Sequence, residues 1–330
     1  MAEHKYDVLA IGNAIVDIIG RCNEAFLVKH GATKGGMRLV DAGTVKSIYA
    51  DMGPGIEISG GSAANTMVGV ASFGGKAAFI GKVADDEFGR IFAHDIKAAG
   101  VSFKTPSAKG GEPTARSLVL VTPDGERTMN TFLGVSPLLD QGEVDLAEVR
   151  AAKIVYLEGY LFDRPEAKAA FRSAAAAAKA AGRQVALTLS DAFCVDRHRA
   201  EFVDLIKGQV DVLFANESEL KSLYKVATFE EGARLAKAHA KVAVLTRGAK
   251  GSVIMSGDKS VTVAAEPVAR VIDTTGAGDL YAAGFLFGLS AGKPLDICGR
   301  LGSLAAAEII SHLGARPEAS LAALAKKKGM

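Results

Sequence analysis

The sequence predicts an α/β fold: a doubly wound, mostly parallel sheet flanked by helices, with a small antiparallel β lid. Three observations carry this. Beyond residue 150, nearly continuous apolar runs of strand length alternate with amphipathic helical stretches, the pattern of strands buried on both faces. Before residue 140, several short and partly alternating runs are bounded by Gly, Pro or Asp. Of the 330 residues, 49% are hydrophobic and 23% charged, enough apolar material to bury a core of this layered kind.

The chain opens on YDVLAIG (6–12), which reads as a buried strand. IVDIIGRC (15–22), GGMRLVD (35–41), ARSLVLVT (115–122) and ERTMNTFL (126–133) are shorter, and TPDGER (122–127) joins the last two through a Pro-Asp-Gly turn, a hairpin signal. Segments 15–42 and 113–136 therefore form the expected lid, and 1–14, 43–112 and 137–330 the large domain. KIVYLE (153–158) leads into the alanine-rich segment 165–182. Alanine is the best helix former, and Arg172, Lys179 and Arg183 supply a solvated side, so the segment is read as a helix. QVALTLS (184–190), a helix near 197–207, VDVLFA (210–215), helices near 217–225 and 228–240, and KVAVLT (241–246) continue the alternation.

Charge and composition exclude several functions. Lys+Arg 39 against Asp+Glu 37 gives a net charge of +2, and the longest basic block is Lys326-Lys327-Lys328, which argues against nucleic acid as a partner. The longest nearly apolar stretch, 280–291, is shorter than the roughly 18–20 residues of a bilayer span. The first residues lack the pattern of a secretory signal, so a cytoplasmic location is expected. Three distant cysteines and six scattered histidines offer neither a disulfide frame nor a transition-metal site.

Five local features carry chemistry. Asp273-Thr274-Thr275-Gly276-Ala277-Gly278-Asp279 is a glycine-rich turn feeding a helix, whose unpaired N–H groups and dipole make an anion hole, with Asp279 in the first helical turn able to accept a proton from a hydroxyl. Gly60-Gly61-Ser62-Ala63-Ala64-Asn65 lets backbone approach a ligand and projects the Asn65 amide from a helix start, although glycine pairs in plain turns are equally common. Gly12-Asn13-Ala14-Ile15-Val16-Asp17 sets Asn13 and Asp17 among apolar residues; Asp17 meets either a polyol hydroxyl or water at a strand edge. Asn216 and Glu219 follow a strand at its carboxyl end, where they form a capping box, order water around Mg²⁺, or both. Thr246, Gly248 and Gly251 form a strand-turn-strand signal that is more often structural. Neither a P-loop nor a dinucleotide-binding glycine fingerprint is present.

Taken in order, GNAIVD (12–17), GGSAAN (60–65), GKVADDEFG (81–89), NESE (216–219), TRGAKG (246–251) and DTTGAGD (273–279) resemble the ribokinase-like, or phosphofructokinase-B, family of carbohydrate and nucleoside kinases, over residues 6 to about 316. The resemblance implies ATP and Mg²⁺ as cofactors and a small hydroxyl compound as substrate. It assigns Asp279 as catalytic base beside an anion hole of Gly276, Ala277 and Gly278. Asp17, Gly60, Gly61 and Asn65 would hold the acceptor, joined by Asn13 and by Glu158 at a strand end. Asn216, Thr246, Gly248, Gly251 and Ser303 would meet ATP, and Glu219 would hold Mg²⁺ through water. In some members a monovalent cation adjusts the anion hole; Asp273 and Thr275 match positions used there, so the resemblance admits K⁺. It also admits either a monomer or a homodimer.

GNAIVDI and DGERTMNTFLG (124–134) look more like adenosine-kinase-type members, so a nucleoside acceptor is expected, adenosine first. The runner-up is a sugar kinase acting on fructose, ribose or 2-keto-3-deoxygluconate, because aromatics are only 6% and tryptophan is absent. Phe132, Phe162 and Phe193 are the candidates for stacking on a base. A non-catalytic nucleoside or sugar sensor is the second alternative, against which the retention of Asp279 speaks.

Overall fold

The computed structural model describes residues 4–330. Fourteen strands follow in chain order: β1 Tyr6–Ile11, β2 Ile15–Arg21, β3 Met37–Leu39, β4 Gly55–Gly60, β5 Ala77–Ile80, β6 Val101–Phe103, β7 Ala115–Val121, β8 Arg127–Phe132, β9 Ala152–Glu158, β10 Gln184–Thr188, β11 Val212–Asn216, β12 Val242–Thr246, β13 Ser252–Ser256 and β14 Lys259–Val263. Nine of them form one sheet in the order β14-β13-β12-β11-β10-β9-β1-β5-β6. Its pairs are parallel from β12 to β6, and an antiparallel hairpin, β13–β14, extends one edge.

Alternate residues of these strands feed two separate cores. Val8, Ala10, Ile154, Tyr156, Val212 and Phe214 join one cluster, while Leu9, Ile11, Val155, Leu157, Leu213 and Ala215 join the other. The period-2 pleat thus buries both faces, as continuous apolar runs require. Helices Ser62–Ser72, Ala277–Ser290 and Leu295–Ile309 cover the first face, and Pro165–Ala180, Ala192–Gln209 and Phe229–His239 the second. In Pro165–Ala180 the buried positions 167, 170, 171, 174, 175 and 178 make one stripe at helical spacing, so alanines supply a flat face that lies close to the sheet. The helix expected near 197–207 is preceded by a short helical stretch from Ala192, which the Asp191 side chain caps by accepting from the Cys194 N–H at 2.5 Å, and the backbone kinks between the two at His198, φ −125.

The other five strands form a small sheet in the order β3-β8-β7-β2-β4. β7–β8 and β2–β4 are antiparallel, and the parallel ladders β2–β7 and β3–β8 join them. The sequence division left residues 55–60 in the large domain; their ladder with β2, Ile15↔Gly60 to Gly20↔Gly55, puts them in the small sheet instead. Glycine and proline around 53–55 obscured a strand whose pairing partner lies 35 to 45 residues upstream. No helix among the described residues is long and apolar enough to cross a membrane.

Candidate active site

The order of the large sheet reverses at β1: the chain runs outward through β5 and β6, then returns to β9 on the other side of β1. Such a switch point opens a crevice beyond the carboxyl ends of the strands. Asn13 and Glu158 sit at those two ends. Both are buried, Asn13 at 2% and Glu158 at 0% exposure. Glu158 accepts from the Asn13 N–H at 3.2 Å, from Asn13 Nδ2 at 2.9 Å and from the Ala63 N–H at 2.8 Å, while Asn13 Oδ1 accepts from Ser136 Oγ at 3.0 Å. Burial pushes the Glu158 carboxyl up to about 7, although these donors pull the other way. Asn13 and Glu158 satisfy one another, and they floor the crevice by tying β1, β9 and the helix Ser62–Ser72 together.

The chain crosses between the two sheets at Gly12–Ala14 and again at Gly60–Gly61. Gly61, at φ +98, passes so close to Asn13 that a Cβ would lie 2.2 Å from its carbonyl oxygen. A Cβ on Gly60 would lie 2.3 Å from Asp17 Oδ2, so this glycine leaves room for the Asp17 carboxylate. That carboxylate, half-buried in β2, takes no hydrogen bond from the described residues. Burial pushes it up to about 6, opposed by Arg316 and Arg127 nearby.

Asp279 lies in the first turn of the helix Ala277–Ser290 and accepts from Ser62 Oγ at 2.6 Å and Asn65 Nδ2 at 3.0 Å. Burial raises its carboxyl, and the Ser62 and Asn65 bonds and the Arg316 charge oppose the rise. Because a carboxylate only accepts, Asn65 must turn its amide nitrogen to Asp279; its Oδ1 is then left buried with no partner. Asn65 and Asp17 line a cleft of about 320 Å³ between the small sheet and the segment 313–318. The rest of its wall is largely aliphatic, with Ile19, Ile56, Ile58, Val119, Met129 and Leu313. None of the three phenylalanines proposed for stacking lines it. Phe162 stacks on Phe202 in the core, Phe132 is buried beside Arg116, and Phe193 is exposed beneath Arg197. A larger cleft of about 490 Å³ opens beside β5 and β6, but its Glu143 is paired with Lys82 and its Glu148 with Lys5 and Lys104.

Gly276, left-handed at φ +77, caps the Asp279 helix. The Ala277 N–H donates to Thr274 O at 3.2 Å, whereas the Gly276 and Gly278 N–H groups have no acceptor among the described residues. The anion hole thus rests on Gly276 and Gly278, and the inclusion of Ala277 as a donor is corrected: its N–H closes the turn. Helix Ala277–Ser290 crosses Leu295–Ile309 closely; a Cβ on Gly284 would lie 2.3 Å from Leu301 O. K⁺ does not fit at Asp273. One carboxylate oxygen accepts from the Thr275 N–H at 3.0 Å, and the other from the Gly314 N–H at 3.2 Å and from the Arg127 guanidinium.

Asn216 and Thr246 are paired end residues of β11 and β12. Asn216 and Glu219 form the capping box: Asn216 Oδ1 accepts from the Glu219 N–H at 2.9 Å, and Glu219 accepts from the Asn216 N–H at 2.8 Å and Nδ2 at 2.6 Å. Burial pushes Glu219 up to about 7, and the charges of Asp191 and Asp279 add to the rise. Carboxylates crowding one crevice fit a hard divalent cation, which relieves their repulsion. Among the described residues no three acidic, His or Cys side chains form a closed metal cage, so such a cation would keep water or ligand oxygens. The Thr246 hydroxyl has no hydrogen-bond partner among the described residues, and Gly248 is exposed with open space around it. Gly251 is also required by β14, since a Cβ there would lie 2.0 Å from Val263 O, and Ser303 uses its hydroxyl to donate to Ala264 O at 3.0 Å and to accept from the Glu266 N–H at 2.7 Å.

Ser62, Arg127 and Arg316 went unnoticed in the sequence. Ser62 stands inside the GGSAAN string and Arg127 closes the TPDGER turn; Arg316 is a single charge in unremarkable surroundings. Arg316 is half-buried against the start of helix Ser62–Ser72, donating to Ser59 O at 2.8 and 2.5 Å and to Ala64 O at 2.9 Å.

A family model described as pfkB family carbohydrate kinase matches residues 57–321. The chain is similar to a solved adenosine kinase of Sinorhizobium meliloti, 51% identical over 98% of this chain and 99% of that one, with a TM-score of 0.91. It is equally similar to a solved probable sugar kinase of Rhizobium etli, 49% identical over 99% of both chains, TM-score 0.92. Among curated relatives, a probable chloroplastic fructokinase-6 of Arabidopsis thaliana is 32% identical over 80% of this chain and 68% of its own.

Proposed function

The chain belongs to the pfkB family of carbohydrate kinases, phosphotransferases that act on a hydroxyl group, and from that premise we propose that it phosphorylates the 5′-hydroxyl of a nucleoside, adenosine first, at the expense of ATP. One observation carries the choice of acceptor. The cleft that adjoins Asp279 through Asn65 combines two free acceptors, the Asp17 carboxylate and Asn65 Oδ1, with six large apolar side chains, Ile19, Ile56, Ile58, Val119, Met129 and Leu313, beside Arg127, Arg316 and Glu318. A free sugar presents hydroxyls all round and would strand several against the apolar side chains, whereas a nucleoside sets its ribose hydroxyls on Asp17 and Asn65 and its flat base against the apolar side chains. The similarity to the Sinorhizobium meliloti adenosine kinase supports the same reading.

The chemistry then needs positioning and charge more than covalent work. Asp17 and Asn65 Oδ1 accept from the ribose hydroxyls and hold the primary hydroxyl toward Asp279. Asp279, itself held by Ser62 and Asn65, takes the proton as the oxygen bonds to the γ-phosphorus, and the bond to the ADP oxygen breaks. The Gly276 and Gly278 N–H groups meet the charge on the transferred phosphoryl. Thr246 and Gly248 lie on the side of the remaining phosphates. Glu219 and Asn216 would hold Mg²⁺ through water, and the ion when bound neutralises phosphate charge. The small sheet, carrying Asp17 on β2, excludes water from the acceptor.

ADP release measured with Mg²⁺-ATP and adenosine, inosine, guanosine, fructose, ribose and 2-keto-3-deoxygluconate tests the proposal. Turnover is expected with adenosine at the highest kcat/KM. Activity confined to sugars, as the fructokinase relative suggests, would return the acceptor to that class; binding without turnover would make the chain a sensor.

A further inference from the structure

Asp273 begins the loop that ends in the anion-hole turn, and it is 8% exposed. Two of its three donors are neutral backbone N–H groups, those of Thr275 and Gly314. The third is Arg127, the first residue of β8 in the small sheet and 9% exposed, which makes the one ion pair that Asp273 has among the described residues. Breaking a buried ion pair by removing its cation leaves an uncompensated charge and is far more disruptive than never having had the pair. Asp273, unlike Glu158 with its neutral donors, is built around a positive charge, and 146 residues of sequence separation mean that the fold, not a local motif, delivers it.

We propose that Arg127 is the resident cation of the anion-hole loop: its guanidinium stands where the family resemblance allowed K⁺, so that phosphoryl transfer by this chain is independent of monovalent cations. The proposal rests on the kinase reading above. It has a mechanical corollary. The charge that neutralises Asp273 is carried by the small sheet, so the loop holding Gly276 and Gly278 keeps its counter-charge only while that sheet is docked. Arg127 also lines the acceptor cleft together with Asp17, and its charge acts on that carboxylate. Arg127 is therefore a positioning residue, acting on the reacting groups through Asp273 and the loop.

The test uses the full chain in tetramethylammonium chloride and in KCl at equal ionic strength, with two readouts: turnover of the acceptor that proves best, and the melting temperature without substrates. The wild-type chain is expected to change by less than about twofold in turnover between the salts, since matched ionic strength removes general screening, and to show no K⁺-specific rise in melting temperature. Arg127→Met is expected to lose about tenfold or more in kcat in tetramethylammonium, as a disordered anion hole would, to regain part of it in K⁺, and to gain a K⁺-specific rise in melting temperature. A wild-type chain that needs K⁺, or an Arg127→Met chain unimpaired or unresponsive to K⁺, would overturn the proposal. Should Arg127→Met not fold, the wild-type comparison decides, together with Asp273→Asn, which removes the demand for a cation and should fold and stay insensitive to K⁺; a K⁺-responsive Asp273→Asn chain counts against it. The melting readout needs no turnover, so failure of the acceptor assignment leaves this test standing.

Discussion

Replacing Asp279 by Asn removes the proton acceptor while sparing nearly every contact around it. In the native chain one carboxylate oxygen accepts from Ser62 Oγ and the other from Asn65 Nδ2. An Asn amide oxygen keeps the second bond, and its NH₂ can donate to the Ser62 hydroxyl, which rotates to accept. Two charge-assisted bonds become neutral, a loss of about 1–2 kcal/mol, which is offset because the variant no longer desolvates a charge. The fold is therefore expected to survive, with a melting temperature within a few degrees of wild type. Loss of a positioned general base costs about 10²–10⁴ in rate, or about 3–5 kcal/mol of transition-state stabilisation. Steady-state ADP release at saturating acceptor should thus show kcat lower by about 10²–10⁴-fold. ATP binding, followed by titration calorimetry, should be nearly unchanged. Because burial raises the Asp279 carboxyl, the acidic limb of the wild-type kcat profile should lie above the ordinary aspartate range, and it should vanish in the variant. A folded Asp279→Asn chain with kcat within about tenfold of wild type would refute the assignment of the base.

Three further outcomes are expected. Gly60→Ala should raise the acceptor KM far more than it lowers kcat, because the new Cβ would fall 2.3 Å from Asp17 Oδ2 and displace that carboxylate; equal effects on both constants would count against Asp17 as an acceptor ligand. Glu158 has its carboxyl pushed from 4.5 up to about 7, so between those values the folded chain binds a proton that the unfolded chain has released. Its contribution to stability accordingly falls as pH rises through that window, and melting curves from pH 5 to pH 8 should decline more steeply for wild type than for Glu158→Gln, parallel curves being the contrary result. Arg316→Met removes the positive charge that holds down the Asp17 and Asp279 carboxyls and leaves Ser59 O and Ala64 O without their donor. It should cost about 1–3 kcal/mol of stability and move the acidic limb of kcat upward, whereas Arg316→Lys should keep the limb; a limb unmoved in both would assign Arg316 to packing alone.

Much of the site was legible because its parts are local. A glycine-rich turn before a helix implies free N–H groups wherever it occurs, and the structure finds them on Gly276 and Gly278. The Asn216–Glu219 spacing implies a capping box, and the box is present. Glycine pairs, by contrast, were ambiguous: Gly61 serves a backbone crossing, Gly60 makes room for a carboxylate, and Gly251 serves strand β14. Asn13 and Glu158 read as substrate ligands because each is a polar residue at a strand end, and only their pairing across β1 and β9 shows that they satisfy one another.

The alternation of apolar runs, the turn chemistry and the helix starts were determined by the sequence alone, since hydrophobic period and backbone hydrogen bonding act over a few residues. Which charges neutralise one another was decided only by the tertiary structure. Arg127 meets Asp273, and Arg316 meets the start of the Asn65 helix, through approaches of 146 and more than 250 residues. The energy of a buried charge depends on what lies within a few ångströms in space, and no local pattern of residues records that neighbourhood.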